Sequence, residues 1–194
     1  MRILFLLLLA FPAMAQTPEV ERVVAATFAD APEAWKSRVT QDETQALCSL
    51  RRNEPTKAEA MAIEAREKAT VKIPAEIAGS WKKGEDIAQN GRGNQFSDPA
   101  GTVAGGNCYA CHQMAPAELS YGTLGPSLMH YGKLKDFAPA AAREAYGKVY
   151  NAQSVTACST MPRFGHNGVL SEQQIKDVVA YLFDPASPVN APVK

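Results

Sequence analysis

The chain has 194 residues, with 20 basic and 20 acidic side chains and 46% hydrophobic residues. A charge balance of that kind argues against nucleic acid as the main partner. The length suits one domain with an extension and is enough to bury a real core.

The chain opens with Arg2 and then an unbroken apolar run from Ile3 to Phe11, too short to span a bilayer. Pro12 breaks the run, and Ala13-Met14-Ala15 is a small-x-small pattern. Residues 1–15 read as a secretory signal peptide cut before Gln16, the alternative being an uncleaved anchor. The expected location is therefore the periplasm, and no later stretch has the length and apolarity of a membrane helix.

Residues 16–77 read as a polar, helical N-terminal extension. Within it, 41–52 and the Ala-, Glu- and Lys-rich stretch 56–72 are predicted helices, the second opened by a Thr56/Glu59 capping box. Residues 78–194 read as a second domain. Trp81, Gly84, Ile87 and Ala88 share one helical face. A turn-rich stretch, 91–106, leads to Cys108-Tyr109-Ala110-Cys111-His112, and an irregular segment, 113–137, follows. Residues 139–151 are predicted helical and 157–168 a loop. The last helix starts with a Ser171/Gln174 box, carries Ile175, Val178, Val179 and Leu182 as its apolar stripe, and stops at Asp184-Pro185 before an extended tail. Strand alternation is absent, so the expected class is all-α with long loops. Loops of that length in a compact domain need a large buried group to organise them. The carboxylates are scattered over helix faces and read as mostly solvated.

The Cys-x-x-Cys-His motif is the signature of c-type haem attachment. Cys108 and Cys111 are spaced to add to the two vinyl groups of one haem edge, and His112 then lies beneath the ring as an axial iron ligand. One motif implies one covalently attached haem c. A thioredoxin-like dithiol would want a βαβ setting, and a zinc site would want further ligands at short spacing. Neither is present in the sequence.

The sixth iron ligand must come from elsewhere. Met114 is two residues past His112 and cannot reach the opposite ring face. Met129 and His130 follow a Gly-Pro turn, where the chain is still on the histidine side. Met161 sits in a late loop ahead of the last helix, the order a single-haem cytochrome needs, with His166 the runner-up. Two cysteines remain. In an oxidising compartment Cys48 and Cys158 are expected to pair, the alternatives being free thiols, a bond to a partner chain, or Cys158 as an iron ligand. No other catalytic motif stands out.

Together GNCYACH, GPSLMHYG and MPRFGHNGVLSEQQIKDVVAYLFDPASPVN resemble the SoxX family, over about residues 79–190. SoxX is the monohaem subunit of the SoxAX cytochrome of bacterial thiosulfate oxidation. The resemblance implies a class I cytochrome c fold, with haem-wrapping loops and His112 and Met161 as axial ligands. It also implies that the Pro126 carbonyl in the Gly125-Pro126 turn accepts a hydrogen bond from His112, a plain turn being the alternative.

The resemblance further implies a heterodimer with a SoxA subunit and, through the complex, contact with the SoxYZ carrier and a soluble electron acceptor. The complex is an L-cysteine S-thiosulfotransferase that joins thiosulfate to a carrier cysteine. This chain would be its non-catalytic electron-transfer subunit, since it shows no substrate-holding constellation of its own. A free-standing periplasmic shuttle, or a haem protein with an open sixth site, would share the same motif.

Overall fold

The computed structural model describes residues 18–192. The segment 1–15, read from the sequence as a signal peptide, lies outside the described residues. Among the described residues every regular element is helical. The chain forms two compact units, the first ending at Ala60 and the second beginning at Met61.

The first unit holds α1 (Pro18–Thr27), α2 (Glu33–Val39) and α3 (Glu43–Leu50), with the start of α4 (Lys57–Thr70). Asp42 caps α3: its side chain accepts from the Gln45 amide while the Gln45 side chain accepts from the Asp42 amide. The same reciprocal pair occurs at Thr56 and Glu59, and Arg51 meets Glu59 at 2.6 Å. Those contacts hold the Glu59 carboxyl down at about 2, the Arg51 hydrogen bond being the largest cause.

The second unit holds the rest of α4, α5 (Trp81–Gln89), α6 (Tyr131–Leu134), α7 (Pro139–Tyr150) and α8 (Glu172–Phe183). It includes residues 61–77, which the sequence groups with the extension. The reason is a set of distant polar partners. Arg143 of α7 donates to the carbonyls of Pro74 and Ala75 at 2.9 and 3.2 Å, and Glu67 of α4 is buried.

The centre of this unit is α8. Ile175, Val178, Val179 and Leu182 are all buried, as their spacing demands. A second buried row, Asp177 and Tyr181, faces α5. The helices approach closely because position 84 has no side chain. A Cβ at Gly84 would sit 2.8 Å from Tyr181 Cβ and 2.6 Å from the Asp177 carbonyl carbon. Asp177 also accepts a hydrogen bond from the Ser80 amide at 2.8 Å, at the start of α5.

Two carboxylates depart from the mostly solvated pattern, and the expectation for the tail needs correction. Asp177 and Glu67 are not solvated: each is 4% exposed and finds polar partners inside. The tail is not simply extended. Pro188–Asn190 forms a 3-10 turn capped by Ser187, Val189 is fully buried, and its carbonyl accepts from the His130 amide at 2.8 Å.

Candidate functional site

Cys108 to Ala110 form one 3-10 turn, entered through Asn107 in the left-handed region at φ 45°. The amides of Cys111 and His112 both donate to the Cys108 carbonyl, at 3.1 and 2.8 Å. Two thiols and an imidazole are thus held on one tight turn. Both thiols are free. Burial pushes the Cys108 thiol up to about 12, whereas a redox-active CxxC lowers its thiol pKa. Burial thus favours the neutral form of the Cys108 thiol.

The turn is anchored on three sides. Before it, the Gly106 and Asn107 amides donate to the carbonyls of Ile87 and Asn90, tying it to the end of α5. From inside it, the Tyr109 hydroxyl meets the Tyr181 hydroxyl of α8 at 2.5 Å. Beyond it, the loop 122–128 lies alongside: Gly122 donates to the Tyr109 carbonyl, Gly125 to that of Cys111 and Leu128 to that of Gln113, at 2.7–2.8 Å.

That loop also grips the histidine. The Pro126 carbonyl lies 2.7 Å from His112 Nδ1. A Cβ at Gly125 would sit 2.5 Å from Nδ1 and 2.7 Å from Nε2. The glycine is there because the imidazole fills the space a side chain would need. A carbonyl oxygen only accepts, so Nδ1 carries the proton, which leaves the lone pair on Nε2.

Met114 is 1% exposed and belongs to the core. Met161 is half-buried, packs against that core, and its amide donates to Ser159 Oγ at 3.2 Å. His166 has polar partners at both ring nitrogens: Thr70 Oγ1 is 3.3 Å from Nδ1, and Arg163 is 3.4 Å from Nε2. Cys48 and Cys158 are buried and each is disulfide-bonded. Among the described residues no three or more His, Cys, Asp or Glu side chains gather as a metal-ion site.

A cytochrome c family model matches residues 97–184. A protein of Aquifex aeolicus described as "Uncharacterized lipoprotein" is 37% identical over 165 residues, covering 80% of this chain and 75% of the relative. Residues 97–184 of this chain form a cytochrome c domain.

That domain implies the capacity for a c-type haem, and the residues present fit one. The Cys-x-x-Cys turn offers two free thiols, and the Pro126 carbonyl beside Nδ1 turns His112 so that Nε2 is left for iron. The sequence pointed to Cys108, Cys111, His112 and Pro126. It did not point to Gly125, Tyr109 or Tyr181. Tyr181 was signalled only by lying four residues after Asp177, on the α8 row outside the main apolar stripe.

Proposed function

We propose that this cytochrome c is an exported one-electron carrier with a single haem c attached through Cys108 and Cys111. His112 and Met161 would be the axial ligands. The observation that carries the reading is the 2.7 Å contact between His112 Nδ1 and the Pro126 carbonyl, which fixes the ring's orientation and tautomer and raises the basicity of Nε2. When bound, the haem supplies an iron that alternates between ferric and ferrous states. Cys108 and Cys111 would hold that group, and the Pro126 carbonyl orients the histidine. Histidine–methionine ligation favours a high potential and leaves no open position for a substrate, which fits electron transfer better than bond-making chemistry.

Within that class, the SoxX reading is the more specific proposal. The chain would form a heterodimer with a SoxA subunit in the periplasm and carry away the electrons released as thiosulfate is joined to the SoxYZ carrier. The support is the run MPRFGHNGVLSEQQIKDVVAYLFDPASPVN. Mixing the mature holoprotein with a SoxA subunit and following size-exclusion elution tests it. Co-elution, with thiosulfate-dependent reduction of the His112 haem, is expected. A holoprotein that stays monomeric and still exchanges electrons would instead be a free-standing shuttle.

A further inference from the structure

The loop that carries Met161 is held by a buried polar network that the haem motif does not use. Glu67 and Arg163 are each 4% exposed, and Asn151 is fully buried. Arg163 Nη1 lies 3.4 Å from Glu67 Oε2, and the Asn151 amide nitrogen donates to the same oxygen at 2.7 Å. Thr70 Oγ1 donates to the Glu67 backbone carbonyl at 2.7 Å, accepts from Asn151 at 3.1 Å and lies 3.3 Å from His166 Nδ1. Arg163 reaches back to His166 Nε2 at 3.4 Å. One carboxylate on α4 thus organises an asparagine at the end of α7 and an arginine two residues past Met161.

The rest of the loop is tied to the same elements. The Ala157 amide donates to Glu64 Oε1 on α4 at 3.2 Å, and the Cys158 amide to Gln153 Oε1 at 3.1 Å. Gln153 is in turn held by its amide to Asn151 Oδ1 at 3.1 Å. The Gly165 and His166 amides both donate to the Tyr150 carbonyl at 3.0 Å. Met161 therefore lies on a short span between tethers at 157–158 and at 163–166. A buried ion pair is a poor source of stability, because desolvation offsets its attraction. Its better use is to set one geometry against alternatives.

We propose that Glu67, with Asn151 and Arg163, is a positioning residue for the Met161 ligand: the network holds the 157–166 loop so that the thioether competes with outside ligands for the iron. The proposal rests on the reading of Met161 as axial ligand. Glu67 is not part of the attachment motif and acts only through the loop. Replacing it with glutamine keeps its length and an acceptor for Asn151, yet removes the negative charge that Arg163 meets at 3.4 Å.

The test uses the haem-loaded, periplasmically matured protein in the ferric state, with imidazole as the competing ligand. Imidazole affinity and the far-red methionine–iron band are read in the parent, in Glu67→Gln, and in Ile175→Val as a control of the core alone. Glu67→Gln should bind imidazole about tenfold more tightly and lose the band at lower imidazole, a change equivalent to ~1.4 kcal/mol. Ile175→Val should behave as the parent. Should Glu67→Gln not accumulate, Thr70→Val removes a lighter part of the network and should shift affinity in the same direction. Equal affinities in parent, network and core variants overturn the positioning role while leaving Met161 as ligand. A parent that lacks the band overturns both the ligand reading and this proposal.

Discussion

The carbonyl oxygen of Pro126 lies 2.7 Å from Nδ1 of His112, and Gly125, next in the same turn, leaves no room for a Cβ against that ring. The turn sets both the tautomer and the angle of the imidazole. Gly125→Ala is expected to displace the ring or the loop, at about 1–3 kcal/mol of overpacking. Holoprotein yield and urea unfolding check it: less haem-loaded protein and a lower midpoint are expected, and parent-like values would show that the loop yields freely.

Met161→Leu should keep covalent haem, because Cys108 and Cys111 are untouched. It should abolish the far-red band and lower the reduction potential, since a thioether ligand raises it. His166→Ala should leave the band in place, because that ring faces Thr70 and Arg163. Optical spectra and a potentiometric titration of both variants separate the two candidate ligands.

The close approach of α5 to α8 depends on Gly84. Adding a methyl group there would press on the Asp177 carbonyl and Tyr181. Gly84→Ala is expected to cost about 1–3 kcal/mol, although alanine favours helix over glycine. Denaturant unfolding checks the sign: a stabilised variant would mean that the two helices part without cost.

Stability should fall in alkali. Burial pushes the Tyr146 phenol up to about 12 and raises that of Tyr181 further. Above about pH 10 the unfolded chain releases these protons while the folded protein keeps them, so unfolding becomes more favourable as pH rises. The stability present below pH 10 is lost progressively toward pH 12. Unfolding midpoints measured from pH 8 to 12 should decline, and Tyr146→Phe should flatten the decline.

Cys48 and Cys158 are both disulfide-bonded, whereas Cys108 and Cys111 are free. If the two bonded cysteines pair with each other, the bridge closes about 110 residues, for which chain entropy predicts roughly 4–5 kcal/mol. Replacing both with serine should lower the melting temperature with little change in the haem spectrum. Alkylation of the denatured, unreduced parent should label neither of them.

Much of the helical pattern was legible from local residues. The Thr56/Glu59 and Ser171/Gln174 boxes are contacts between residues three apart, so the chain's order alone brings them together. The α8 stripe follows from helical periodicity. The attachment turn was equally legible, because Cys108, Cys111 and His112 are neighbours and their spacing is the chemistry.

What the sequence could not show depends on partners far along the chain. Glu67 looked like one more solvated carboxylate on a polar helix. Its burial is decided by Arg163, 96 residues later, and by Asn151, 84 residues later. Val189 looked like part of a loose tail, and its burial comes with the hydrogen bond from the His130 amide. Gly84 and Gly125 looked like ordinary glycines until a neighbouring helix and an imidazole filled the space beside them. Local spacing specified which groups this protein carries, because bonded geometry holds over a few residues. Tertiary packing alone decided which charges are buried and which loop is tethered, because desolvation and close contact depend on what folds against each side chain.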